Sequence, residues 1–139
     1  KKIHSSADHV PAPEVHTSGA KAEYGLISVG GCHWAVLEAR DELAARGIDV
    51  DYLRVRAFPF NSTVEEFIEA HEHVFVVEQN RDEQLRKLLT IETACSKEKM
   101  GSITYYGGQP LSKGHVLDGL ETQLPEVFGR QMAAAEVAS

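Results

Sequence analysis

The chain has 139 residues, of which 42% are hydrophobic and 25% charged, and its net charge is −7 at pH 7. This composition is typical of one soluble globular domain, and the negative charge argues against a nucleic-acid partner, which requires a basic patch. No apolar run approaches the ~20 residues that span a bilayer, and no signal peptide is recognisable. We therefore expect a cytoplasmic protein with no membrane partner. Because the sequence begins with Lys1 rather than Met, we also expect it to be part of a longer polypeptide.

The two cysteines, Cys32 and Cys95, are far apart and form no CxxC pair. This spacing excludes a local iron–sulfur or zinc site built on cysteines and favours a reducing compartment. Cys32 also fits the buried face of a predicted helix, so a packed thiol is favoured over a reactive one.

Residues 1–22 are predicted to form a linker or extended arm, because serine, proline and glycine recur there without apolar periodicity. His4, His9 and His16 lie in this segment at a spacing that fits no helix or strand face. A solvated linker is therefore favoured over a metal site for these histidines.

Alternating strands and helices are predicted from residue 24 onward. Strands are expected at residues 24–29, 48–56 and 101–106, and a helix at residues 33–46 with Gly47 after its end. A second helix should begin after Asn61 or Ser62, and a last one after Ser112. This pattern predicts an α/β fold, a three-layer α/β/α sandwich with a mainly parallel sheet, over residues 23–123. Residues 124–139 are expected to be a C-terminal tail.

The stretch VFVVEQNRDEQLRKLL, residues 74–89, carries the most information. Its first four residues are apolar without interruption, which predicts a strand covered on both faces. Glu78, Gln79 and Asn80 follow at the carboxyl end of that strand, where open α/β sheets meet ligands and partners. Asp82 is expected to cap the next helix. The three polar residues either cap local backbone or form an interface or site, and the residues alone favour neither alternative.

Phe58, Pro59 and Phe60 leave a neighbouring strand at the same edge of the sheet. We expect them to frame a partner surface beside Glu78, Gln79 and Asn80. As members of such a surface, Glu78 and Asn80 should be replaceable by alanine with a change in stability of only about 0.5 kcal/mol, while binding of the partner weakens.

Two other motifs suggest chemistry but fit it poorly. Gly30 and Gly31 follow the first strand and are phosphate-turn candidates, yet GGCHWA is neither GxGxxG nor a Walker A loop, so a tight turn is favoured. His71-Glu72-His73 lacks the HExxH spacing of a helical zinc site and has no third ligand in view. The sequence therefore predicts no catalytic residue and no metal site.

The segments YGLISVGG, GIDVDYLRVRAFPF and VFVVEQNRDEQLRKLL, in this order, resemble the α subunit of 2-oxoacid:ferredoxin oxidoreductases. RAFPF and EQNRDEQL are most similar to the 2-oxoglutarate branch. YYGGQPLS resembles a turn near the end of the family's sequence, although Gly108 stands where Asp is common. The similarity covers residues 23–120 and implies a transketolase C-terminal-like domain.

The resemblance implies an enzyme that oxidatively decarboxylates a 2-oxoacid to acyl-CoA and passes electrons to ferredoxin. Thiamine diphosphate, Mg²⁺, coenzyme A and an iron–sulfur cluster are implied for the complete enzyme, and none of them for this segment. The implied partners are other domains of the α subunit and the thiamine-binding β subunit. The segment itself would serve assembly and be inactive alone. The alternative is a free-standing small-anion-binding or regulatory module, and an independent nucleotide-binding enzyme is less favoured because the glycine fingerprint is missing.

Overall fold

A computed structural model describes residues 12–18, 22–56, 60, 62–80 and 82–129 of the chain. These residues contain one sheet of five strands in the order β1-β3-β2-β4-β5. The strands are β1 (Glu14–His16), β2 (Tyr24–Val29), β3 (Val50–Val55), β4 (His73–Glu78) and β5 (Met100–Thr104). Strands β2 to β5 are parallel, and β1 pairs antiparallel with β3 at one edge.

In the described residues, four α-helices cover the two faces of the sheet. They are α1 (His33–Ala45), α2 (Ser62–Ala70), α3 (Gln84–Glu92) and α4 (Lys113–Gln123). The buried side chains of α1 and α4 pack on one face, in what we call the first core, and those of α2 and α3 pack on the other, the second core. The predicted three-layer α/β/α sandwich with a mainly parallel sheet is confirmed. Within the described residues, no helix is long and apolar enough to cross a membrane.

Strand β4 lies in the interior of this sandwich, between β2 and β5. Val74 and Val76 point into the second core, while Phe75 and Val77 point into the first, and all four side chains are fully buried. Side chains alternate between the faces of a strand, so an unbroken apolar run is what a strand covered on both faces requires. The prediction from VFVV is confirmed.

Helix α1 ends as its sequence indicates. Gly47 has φ of +84°, a left-handed conformation that glycine adopts without a Cβ clash. The backbone N–H of Ile48 then donates to the carbonyl of Leu43 at 2.8 Å, which closes the helix end and starts the connection to β3. The helix stops one residue before the predicted limit.

The outer edge of β5 is closed by side chains. Arg86 Nε donates to the carbonyl oxygen of Met100 at 2.5 Å, and Gln123 Nε2 donates to that of Ser102 at 2.7 Å. Because unpaired edge carbonyls invite pairing with another chain, these two donors protect the edge.

Two segments contribute more to the fold than their sequences suggest. Strand β1 lies inside the predicted arm, where Val15 pairs with Leu53. At the other end, Pro125–Gly129 forms a helical turn, and Phe128 is fully buried against Tyr24 and Phe75. Residues 130–139 of the predicted tail lie outside the described residues.

Candidate functional site

The candidate site lies at the carboxyl ends of the parallel strands, which we call the carboxyl edge. Strands β2 and β4 are neighbours there, but the helices that follow them cover opposite faces of the sheet. Such a switch point is where open α/β sheets form a crevice for ligands. The Gly30-Gly31 turn follows β2, and the Gln79-Asn80 turn follows β4. The structure therefore brings the two predicted stretches together.

The two turns are in direct contact. A Cβ atom added at Gly31 would lie 2.7 Å from Gln79 Oε1, so a larger residue at this position would push the exposed end of the Gln79 side chain aside. A phosphate group approaching Gly31 would first have to displace the amide of Gln79. Gln79 is also the exposed member of the Glu78-Gln79-Asn80 triplet.

Glu78 is buried, with 1% of its surface exposed. Its carboxylate accepts hydrogen bonds from the backbone N–H groups of Leu85 at 2.7 Å and Arg86 at 3.0 Å, and from Asn80 Nδ2 at 3.0 Å. The first amides of α3 are thus bound by a carboxylate from the end of β4, where a helix N-terminus otherwise attracts an external anion. The premise that Glu78 is a surface group is wrong.

Asn80 shapes the turn between β4 and α3. Its side-chain oxygen accepts from the backbone N–H of Asp82 at 3.0 Å and of Gln84 at 3.4 Å. Glu83, the residue before the helix, has φ of 53° and makes no side-chain cap bond. The predicted cap at Asp82 is therefore wrong, because Glu78 and Asn80 already satisfy the amides that a cap at Asp82 would serve.

Cys32 lies beneath the same crevice as a buried thiol, as predicted. Burial, together with the nearby charge of Glu78, raises the pKa of Cys32 to about 11. The thiol is therefore protonated at neutral pH and is not a nucleophile.

A polar network beside this crevice is absent from the sequence-based prediction. The Tyr52 hydroxyl lies 2.6 Å from Ser28 Oγ and 3.0 Å from His33 Nδ1. Burial raises the pKa of Tyr52 to about 12 and lowers the pKa of His33. His16 of β1 stacks on the Tyr52 ring with centroids 5.3 Å apart, so this histidine packs against the sheet and is not a solvated linker residue. His4 and His9 lie outside the described residues.

His71 is held by structural contacts. Its Nε2 lies 2.8 Å from Asp51 Oδ2, and its Nδ1 lies 2.6 Å from the carbonyl oxygen of Phe67. Within the described residues, no group of three or more His, Cys, Asp or Glu side chains is arranged to hold a metal ion.

The carboxyl edge also exposes apolar side chains. Trp34, in the first turn of α1, is 72% exposed, and Val29, at the end of β2, is 40% exposed. Trp34 was not singled out by sequence, because a single tryptophan at a helix start has no periodic signal; the exposed large side chain is the informative observation.

Beside Val29 the edge contains a cavity of about 270 Å³, which we call the socket. Its apolar wall consists of Val29, Val55, Phe60, Leu85 and Leu88. Arg56 and Gln84, both exposed, supply its polar groups. Phe60 thus lies at an apolar surface of the carboxyl edge, while Phe58 and Pro59 lie outside the described residues.

The fold is that of transketolase C-terminal-like domains. The chain is similar to 2-oxoglutarate:ferredoxin oxidoreductase from Magnetococcus marinus, solved with 2-oxoglutarate, coenzyme A and succinyl-CoA bound, with a TM-score of 0.75 and 24% identity. That match covers 86% of this chain and 21% of the Magnetococcus chain, so the present chain spans about a fifth of it.

Two further solved structures have the same fold. The α chain of a probable 2-oxoacid ferredoxin oxidoreductase from Thermoplasma acidophilum matches with a TM-score of 0.54 and 19% identity, over 82% of this chain and 97% of that one. Transketolase from Campylobacter jejuni subsp. jejuni NCTC 11168 matches with a TM-score of 0.50 and 17% identity, over 86% of this chain and 16% of that one. No protein-family model matches the sequence, and no curated protein is significantly similar to it.

Proposed function

We propose that this chain is the transketolase C-terminal-like domain of the α subunit of a cytoplasmic 2-oxoacid:ferredoxin oxidoreductase. Its role there is assembly: the carboxyl edge docks against another domain of the α subunit or the thiamine-binding β subunit. The fold shared with two such oxidoreductase chains and the residue patterns of the three strand segments support this proposal.

The observation that carries the docking role is the exposed apolar surface of the carboxyl edge. Val29 is the last residue of β2, and Trp34 lies in the first turn of the helix that follows it. The socket opens beside Val29. Aromatic side chains are enriched in protein interfaces, and an apolar surface bordered by polar groups is typical of them. The exposed Gln79 amide supplies such a polar group, whereas Glu78 and Asn80 stabilise the turn beneath it.

We propose 2-oxoglutarate as the substrate of the complete enzyme, because RAFPF and EQNRDEQL resemble that branch. The complete enzyme would form acyl-CoA by oxidative decarboxylation and reduce ferredoxin. We assign thiamine diphosphate, Mg²⁺, coenzyme A and the iron–sulfur cluster to other domains or subunits. In this chain, Gln79 covers Gly31 and the carboxylate of Glu78 binds the first amides of α3, so the switch point does not fit a diphosphate group.

The test compares the complete oxidoreductase with the 139-residue chain alone. The complete enzyme should reduce a viologen dye when given 2-oxoglutarate and coenzyme A, and it should turn over pyruvate more slowly. The isolated chain should reduce no dye. Titration calorimetry of the isolated chain with phosphate, ATP and 2-oxoglutarate discriminates the alternative, since tight binding of any of them would favour a free-standing module.

A further inference from the structure

The socket at the carboxyl edge combines an apolar interior with one cation, Arg56, that has no partner among the residues the structure describes. Val55 and Leu85 form buried parts of its wall, and Phe60 and Leu88 are half-buried. Arg56 is exposed at the socket and makes no ion pair or hydrogen bond with any described residue.

This isolation of Arg56 distinguishes it from the other arginines that the structure describes. Each of those donates to or pairs with a carboxylate or a backbone carbonyl, namely Arg40, Arg46, Arg54 and Arg86. A guanidinium forms its strongest contacts with a carboxylate, often through two parallel hydrogen bonds. In a chain with a net charge of −7, an unpaired arginine beside an apolar cavity therefore indicates a complementary anionic group on whatever fills the cavity.

The volume of the socket indicates whether its occupant is a small-molecule ligand or a protein side chain. Its volume of about 270 Å³ lies below the roughly 300–1,000 Å³ of small-molecule pockets. It accommodates one large apolar side chain, the anchor that interfaces commonly insert into a pocket. Because the first amides of α3 already donate to Glu78, they are not available to an anion bound in the socket. Among the described residues that line the socket, Arg56 is the cation that such an anion can meet.

We propose that the socket binds a large apolar side chain, such as Phe or Leu, of a partner polypeptide in which a neighbouring acidic residue pairs with Arg56. This inference deepens the docking role proposed above and rests on it for the identity of the partner. The binding chemistry is independent of the docking role, so the isolated chain should display it.

The probes are the capped peptides acetyl-Ala-Phe-Asp-Ala-amide, acetyl-Ala-Phe-Asn-Ala-amide and acetyl-Ala-Ala-Asp-Ala-amide, titrated into the ¹⁵N-labelled chain at millimolar concentrations. The Phe-Asp peptide should produce saturable shifts of the backbone amides of Val29, Leu85 and Leu88. The Phe-Asn peptide should bind about threefold more weakly, because an ion pair exposed to water contributes modestly. The Ala-Asp peptide should produce no saturable shift.

Two pairs of variants locate the binding. Arg56→Glu should remove the preference for Phe-Asp over Phe-Asn, whereas Lys87→Glu, which makes the same charge change at an exposed position of α3, should retain it. Leu88→Trp should fill the socket and abolish binding, whereas Ile91→Trp, on the same helix, should not. Because the Arg56 side chain is exposed, its variant still tests the proposal if Leu88→Trp unfolds.

Absence of saturable shifts around the socket in the unmodified chain would overturn the proposal. Loss of the preference in Lys87→Glu as well as Arg56→Glu would also overturn it, since net charge alone would then explain binding. Binding of 3-phenylpropionate as tightly as the Phe-Asp peptide would show a small-carboxylate pocket in its place. If the peptides do not bind but the chain still assembles with the oxidoreductase, the socket proposal is wrong and the docking role stands. Peptide binding without assembly sinks the docking role alone.

Discussion

The carboxylate oxygen Oε1 of Glu78 accepts a hydrogen bond of 2.7 Å from the backbone N–H of Leu85. The bond joins the carboxyl end of the interior strand β4 to the first turn of α3. Since Oε2 accepts from the next amide, that of Arg86, one buried carboxylate fixes where the helix starts. A charged acceptor at a helix N-terminus is stabilising through both its hydrogen bonds and the helix dipole.

Replacing Glu78 with alanine should lower the free energy of unfolding by about 1–3 kcal/mol, because the buried amides of α3 lose a charged acceptor. Urea denaturation followed by circular dichroism measures the change. Gln79→Ala is the matched control, since this neighbour is exposed, and it should change stability by less than about 0.5 kcal/mol. Equal effects of the two substitutions would show that the carboxylate does not hold the helix.

Tyr52→Phe should cost about 1–2 kcal/mol of stability, because removal of the hydroxyl leaves Ser28 and His33 without their buried partner. Ser28→Ala should cost less when combined with Tyr52→Phe than when made alone. A double-mutant cycle measured by urea denaturation gives this coupling, expected at about 0.5 kcal/mol or more. Strictly additive effects would contradict the network.

Stability should fall as the pH decreases below about 6.5, the ordinary pKa of histidine. Burial lowers the pKa of His33 and of His73 in the folded chain, and the charges of Arg54 and Arg86 respectively lower them further. The unfolded chain therefore binds protons at a higher pH than the folded chain does, so acid favours unfolding. The melting temperature should be lower at pH 5.5 than at pH 7.5, and His73→Gln should reduce this difference. An unchanged difference would exclude His73 as a contributor.

Asp51→Asn should loosen the arm. Asp51 accepts from the backbone N–H of Ser18 at 2.9 Å through one oxygen and contacts His71 Nε2 at 2.8 Å through the other. Loss of the carboxylate charge weakens both contacts. The substitution should therefore accelerate hydrogen–deuterium exchange of the backbone amides of residues 14–18 more than that of the amides of α4. Equal acceleration in the two regions would indicate global destabilisation instead.

The strand and helix order follows from local patterns, which is why it was predictable. The apolar run before Glu78 and the glycine at position 47 depend on residues adjacent in the sequence. Their structures can therefore be predicted without knowledge of the fold. The Tyr52 network was not predictable, because it joins side chains from three separate segments and Tyr52 looks like one more apolar residue of β3. Phe128 likewise gains its burial from Tyr24 and Phe75, which are far away in sequence.

The candidate site was predicted in place but not in detail. Sequence located Glu78, Gln79 and Asn80 at the end of a buried strand, and strand polarity then fixes the edge at which they lie. It did not divide their roles, because the direction of each side chain depends on the turn that follows. Local sequence favours Asp82 as the cap for the same reason: a carboxylate seven residues before Leu85 has no local signal of reaching its amide.

The most direct test of the docking role compares two side chains with nearly equal exposure, Trp34 at 72% on the carboxyl edge and Ile91 at 73% on α3. The measurement is the affinity of the chain for the purified remainder of the oxidoreductase, by surface plasmon resonance. Trp34→Ala should weaken binding about tenfold or more, as loss of an aromatic hot spot does, while the melting temperature stays unchanged. Ile91→Ala should bind as the unmodified chain does. Equal affinities of the two variants would contradict docking through the carboxyl edge.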